Sequence, residues 1–127
     1  MKVSKAIILA LVSALFSAGI SAYLTASFFH REQTIGISWV LNNEANHLLR
    51  DLEPTGENQP ENMQSRLEAH LNGKVMLLDD CAQLPGEAGE TTRATLRSIA
   101  SYRVKHPFTC KNTEVNQIVH TILLKYQ

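Results

Sequence analysis

From Ala6 to Phe29 the chain reads AIILALVSALFSAGISAYLTASFF, an apolar run that contains no charged residue. As a helix rising about 1.5 Å per residue, this run covers about 36 Å, enough to cross the roughly 30 Å hydrocarbon core of a bilayer with some tilt. It predicts a transmembrane signal anchor over residues 6–29. Lys2 and Lys5 precede the run, and basic residues beside a span are retained in the cytoplasm. Residues 1–5 are therefore expected inside and residues 30–127 outside, with Arg31 weakening the asymmetry. The competing reading is a cleaved signal peptide that releases a secreted helical factor, with Gly19, Ser21 and Ala22 as small residues near a cut. The apolar continuation through Tyr23, Leu24, Phe28 and Phe29 favours the anchor. Ala14, Ala18, Ala22 and Ala26 recur at every fourth position, a row that permits close pairing of transmembrane helices, although alanine is common in any such segment.

Beyond the run the pattern changes to helical periodicity. Ile37, Leu41, Ala45, Leu48 and Leu52 share one face of a helix expected from about Thr34 to Glu53, stopped by Pro54 and the turn-forming residues Thr55 to Asn58. A second helix begins near Pro60, with Met63, Leu67 and Leu71 inward. Asn72 and Gly73 offer a stop, which would leave the run Val75 to Leu78 as helix or strand. The spacing of Leu67, Leu71, Val75, Leu78 and Ala82 favours continuation to about Ala82 with a weak point at Gly73. QLPGEAGE, Gln83 to Glu90, predicts a loop. Thr91 or Thr92 caps a third helix that places Leu96, Ile99, Ala100 and Val104 inward and ends before Pro107. Asn112 or Thr113 caps a fourth, in which Val115, Ile118, Val119, Ile122, Leu123 and Tyr126 keep the helical period. The expected fold class is all-α: an N-terminal transmembrane helix and then a bundle or orthogonal array of about four helices.

Charge divides this domain in two. Residues 54–90 carry Arg66 and Lys74 against seven carboxylates, while residues 91–127 carry six Lys and Arg against Glu114 alone. Over the whole chain 12 Lys and Arg balance 12 Asp and Glu, so no overall field favours nucleic acid, and none is expected as a partner. Within the basic half Arg93, Arg97, Arg103 and Lys105 form a candidate interaction surface. The plainer reading is that they complement the acidic half inside the same domain. Trp39, the only tryptophan, lies off the inward stripe of the first helix and joins the candidate surface.

The two cysteines, Cys81 and Cys110, lie beyond the apolar run and at the ends of predicted helices. That placement suits an oxidising compartment and predicts a Cys81–Cys110 disulfide, worth about 3 kcal/mol for the loop it would close. The alternatives are an intermolecular disulfide and a reactive thiol at Cys110 with His106 as base; no CxxC accompanies the latter.

Other chemistry is sparse. His30, His47, His70, His106 and His120 are scattered one to a segment, without metal-ligand spacing, and no metal or cofactor is expected. Asp79 and Asp80 are neighbours and so diverge around a helix rather than converging on a substrate. No nucleophile elbow or phosphate-binding glycine loop occurs, and the chain is expected not to be an enzyme. The leading expectation is a module of the bacterial inner membrane with its domain in the periplasm, serving protein interaction or as an accessory subunit. Its expected partners are the membrane and either another envelope protein or a second copy. A small-molecule-sensing ectodomain acting through a partner is the alternative.

Overall fold

A computed structural model describes residues 5–53 and 61–127. The stop at Pro54 and the helix opener at Pro60 lie outside the described residues. Among those residues the structure is all-helical: α1 (Lys5–Leu52), α2 (Glu61–Cys81), α3 (Glu87–Lys105) and α4 (Thr113–Leu124). The chain falls into two compact units, one up to Thr34 and the other from Ile35 to Gln127.

The first unit holds one helical segment near the N-terminus that is long and apolar enough to cross a membrane. Its large side chains find no cover within the unit: Leu9, Leu15, Phe16 and Tyr23 are each more than 70% exposed.

In the second unit the remainder of α1 buries Ser38, Leu41, Asn42, Ala45, Leu49 and Leu52. The predicted stripe holds at Leu41, Ala45 and Leu52, but Ile37 is 56% exposed and Ser38 takes the inward position. The Ser38 hydroxyl is satisfied where it is buried, donating to Ile35 O at 2.7 Å, and a polar cluster continues beside it. Asn42 Nδ2 donates to Ser38 O at 2.8 Å and to Thr92 Oγ1 at 2.9 Å, and Thr92 Oγ1 donates to Ala88 O at 2.8 Å. Asn42 Oδ1 is buried with no partner among the described residues.

α2 runs through Gly73 without a break. A glycine inside a helix costs about 1 kcal/mol relative to alanine. Burial of Leu71, Val75 and Leu78, all fully enclosed, is worth about 1.5 to 3 kcal/mol each and outweighs it. Residues 73–81 are therefore helix, not strand. Met63, expected inward, is exposed.

α3 starts at Glu87, earlier than the threonines expected to cap it. Gly86, at φ 70°, turns the chain in a conformation that side chains disfavour. At Gly89 a Cβ would lie 1.8 Å from the Leu84 carbonyl oxygen, so only glycine lets the first turn of α3 close on the loop. The glycines that read as loop thus build a tight turn, and Thr92 is a buried interior residue of α3. Glu87 and Glu90 at its start and Arg103 and Lys105 at its end complement the helix dipole. Leu96, Ile99 and Ala100 face the core as expected; Val104 is exposed and Tyr102 is buried instead. Asn112 caps α4, its side chain accepting from the backbone N–H groups of Glu114 and Val115.

Contacts fix the helix directions in the second unit. Arg93 of α3 reaches Ala82 at the end of α2, and Arg103 reaches Glu68 earlier in α2, so α2 and α3 are antiparallel. Asp79 of α2 meets Lys125 and Tyr126, and Asn72 shares a cavity with Val119 and Leu123, so α4 runs parallel to α2. Leucines 41, 49, 52, 71, 78, 96 and 123 with Val75, Ile99, Val119 and Ile122 make up most of one shared core.

This topology overturns the predicted disulfide. Cys81 lies at the C-terminal end of α2, whereas the loop carrying Cys110 packs, at Pro107 and Phe108, beside Gln64 and Glu68. Glu68 and Cys81 are separated by roughly 20 Å along the helix, far beyond the 7 Å Cα separation that a disulfide tolerates. Both cysteines are free thiols.

Candidate functional site

The chemistry-bearing side chains converge on the C-terminal half of α3 and the loop after it. Here Tyr102 is buried on the core side and Arg103, one position on, turns toward α2. Arg103 Nη1 forms an ion pair with Glu68 Oε2, Nη2 donates to Asn72 Oδ1 at 2.7 Å and to Glu68 O at 3.3 Å, and the Tyr102 hydroxyl donates to Glu68 Oε1 at 2.7 Å. The Glu68 and Arg103 side chains are only 4% and 10% exposed. The guanidinium also lies 5.3 Å from the Phe108 ring centroid and 5.7 Å from that of Tyr102, which orders the loop over it through cation–π attraction. Burial, and then the hydrogen bond to Glu68, push the Tyr102 hydroxyl well above its ordinary pKa.

The basic half of the domain therefore separates into two populations. Arg93 donates to the Ala82 carbonyl at 2.6 Å and closes the end of α2. Arg103 satisfies Glu68, and Lys125 pairs with Asp79 at 2.8 Å, so these residues complement the acidic half internally. Arg97 and Lys105 remain on the outer face of α3, with Ser101 between them and His106 stacked on Tyr102 at 4.8 Å between ring centroids. Together with Glu53 they line an open groove. Neither Arg97 nor Lys105 belongs to an ion pair among the described residues. Trp39 is 43% exposed on α1, between the exposed Ile37 and Val40 and away from the α3 groove.

The thiols occupy different surroundings. Cys81 is in the core, and burial, followed by the neighbouring charge of Asp80, raises its pKa, which keeps it protonated and unreactive. Cys110 sits in the α3–α4 loop, gripped by Asn116, whose side chain accepts from the Cys110 N–H at 2.9 Å and donates to its carbonyl at 2.8 Å. Its Sγ lies 3.1 Å from Asn116 Oδ1 and 3.3 Å from Asn112 O. These neighbours are oxygens, and His106 is committed to its stack on Tyr102. Among the described residues no group of three His, Cys, Asp or Glu is arranged to hold a metal ion.

The sequence pattern gives Glu68 and Tyr102 no role and marks Asn72 only as a possible helix stop, whereas the structure makes all three partners of one buried network. The signal was faint: a glutamate at an inward helical position four residues before Asn72, opposite a helix rich in arginine. Comparisons with protein-family models, with curated proteins and with solved structures find no match for this chain.

Proposed function

We infer that the protein is a membrane-anchored interaction or accessory module, inserted through residues 6–29, whose helical domain docks an acidic segment of a second envelope protein. The observation that carries this reading is the unrelieved exposure of the apolar side chains of the first unit, none of which is buried in its most hydrophobic stretch. So large an apolar surface in water is unfavourable at about 25 cal/mol per Å², and lipid is the simplest environment that removes it. Lys2 and Lys5 support an N-terminus in the cytoplasm and a domain on the periplasmic side of the inner membrane. With both thiols free, the cysteines no longer argue for an oxidising compartment.

The docking side is the groove of Arg97 and Lys105, which form no ion pair among the described residues although Glu53 shares the groove, with Ser101 and His106 as further donors. Exposed charges of this kind contribute orientation and encounter rate more than affinity, which suits an accessory contact made at the high local concentration of a membrane. The test places a photocrosslinking residue at position 97 or 105, and separately at the exposed positions 80 and 117, in membranes containing the full chain. Capture of one membrane protein from 97 and 105 alone, abolished by the neighbouring charge reversal Lys105→Glu or Arg97→Glu, is expected. Equal capture from all four positions, or recovery of the chain as a soluble protein, would contradict the reading.

A further inference from the structure

We propose that the cavity roofed by the α3–α4 loop is a binding site for a small organic carboxylate with an apolar body. The cavity has a volume of about 180 Å³ and opens between α2, the end of α3 and α4. An apolar cavity of about 150 Å³ admits benzene, so this one accepts an acid of benzoate size.

The walls are divided by chemistry. Pro107, Phe108, Val119 and Leu123 supply apolar surface on the loop and α4 sides, while Asn72 and Arg103 stand on the α2 and α3 sides. Asn72 is 3% exposed overall. Its Oδ1 is used by Arg103, but its NH₂ group meets no acceptor among the described residues. Arg103 has five N–H groups. Three find acceptors in Glu68 and Asn72, and among the described residues the other two do not. Thr109 and the exposed His120 stand at the rim and add further donors.

No carboxylate lines this cavity. Glu68, which balances the charge of Arg103, approaches the guanidinium from the neighbouring surface and lines a different groove. The cavity therefore presents amide donors and a cation at one wall and apolar surface at the other; Asn116 also lines it, but its Oδ1 is engaged by the Cys110 N–H. A carboxylate oxygen placed against Asn72 and Arg103 would accept from N–H groups that have no acceptor among the described residues, with the rest of the acid against Phe108, Val119 and Leu123. Charge-assisted hydrogen bonds of this kind are the stronger class.

The test uses the full chain in lipid nanodiscs, isotopically labelled, titrated with benzoate and in parallel with benzamide and benzyl alcohol. Benzoate is expected to give saturable shifts at the Asn72 side-chain amide and at Thr109 and Val119, with the two neutral analogues at least tenfold weaker. Asn72→Ala and His120→Ala are each expected to weaken benzoate about tenfold, the loss of one charge-assisted hydrogen bond. Thr109→Trp, at an exposed rim position that leaves the core intact, is expected to abolish binding; Arg97→Ala, outside the cavity, is expected to leave it unchanged. Shifts that do not saturate, equal affinity for benzamide, or undiminished binding by Thr109→Trp would overturn the proposal.

Discussion

Replacing Arg103 with methionine tests whether the basic half of the domain separates as described. The substitution keeps much of the length of the side chain but removes the cation. Glu68, whose side chain is 4% exposed, then retains only the Tyr102 hydroxyl as a partner, and Asn72 Oδ1 loses its donor. Breaking a buried ion pair from one side destabilises by about 3 to 5 kcal/mol, because the remaining charge is buried without compensation. Small domains have about 5 to 15 kcal/mol in all, so Arg103→Met should leave a marginal fold. Arg97→Met, six positions earlier on the outer face of α3, should change stability by no more than about 0.5 kcal/mol. The assay is urea unfolding of the full chain in detergent, followed by fluorescence of Trp39, which lies in the second unit and is the only tryptophan. The Arg103→Met loss should also persist in high salt, since a buried pair is poorly screened. Losses within about 0.5 kcal/mol of each other for the two variants would refute the assignment of Arg103 to the interior and Arg97 to the surface.

Alkaline pH supplies a second expectation. The Tyr102 and Tyr126 hydroxyls are both raised by burial and by their bonds to Glu68 and Asp79, and Cys81 is raised by burial and by Asp80. A group with a raised folded-state pKa binds its proton more tightly in the native state. Its contribution is complete below the unfolded pKa and is lost as pH rises above it. Stability should therefore decline above about pH 8.5, where cysteine begins to ionise in the unfolded chain, and more steeply above about pH 10. Tyr102→Phe should be destabilised at neutral pH by about 1 to 2 kcal/mol and show a shallower alkaline decline, measured by thermal melts across pH. Glycine substitutions separate two backbone roles. Gly73→Ala places a Cβ in open space on a helix and should stabilise by about 0.5 to 1 kcal/mol, whereas Gly89→Ala drives a Cβ into the Leu84 carbonyl and should destabilise by more than that amount, both read by urea midpoint.

Features set by neighbouring residues were legible before the structure. Asn112 caps α4 because the cap bonds reach only two and three residues along the chain. α2 continues past Gly73 because Leu71, Val75 and Leu78 keep a period that a single glycine does not break. Features that depend on which helix ends meet were not legible. The cysteines sit beyond the apolar run and at element ends, and those two placements suggested a bridge; antiparallel packing of α2 and α3 puts those ends far apart. Charge totals showed that an acidic and a basic half could complement one another, but not that Arg103 turns inward while Arg97 stays outside, since that depends on where α2 presents Glu68. Ser38 and Asn42 show the same limit in α1. Periodicity favours apolar residues at inward positions; Ser38 is accepted there because its hydroxyl donates to the Ile35 carbonyl, and Asn42 because Thr92 stands opposite it. The cavity beneath Phe108 is formed by three helices and a loop, with no local pattern to announce it.

Membrane insertion through residues 6–29 is the central claim, and its most direct measurement combines carbonate extraction of cell membranes with mass determination and impermeant maleimide labelling of intact cells. Cys110 serves as the reporter because it is partly accessible in the α3–α4 loop, whereas Cys81 is enclosed in the core. The full-length chain is expected to stay in the carbonate-washed membrane and to accept one label, at Cys110, from outside the inner membrane and without prior reduction. Recovery of the unshortened chain in the soluble fraction, or labelling of Cys110 only after the inner membrane is opened, would contradict the account.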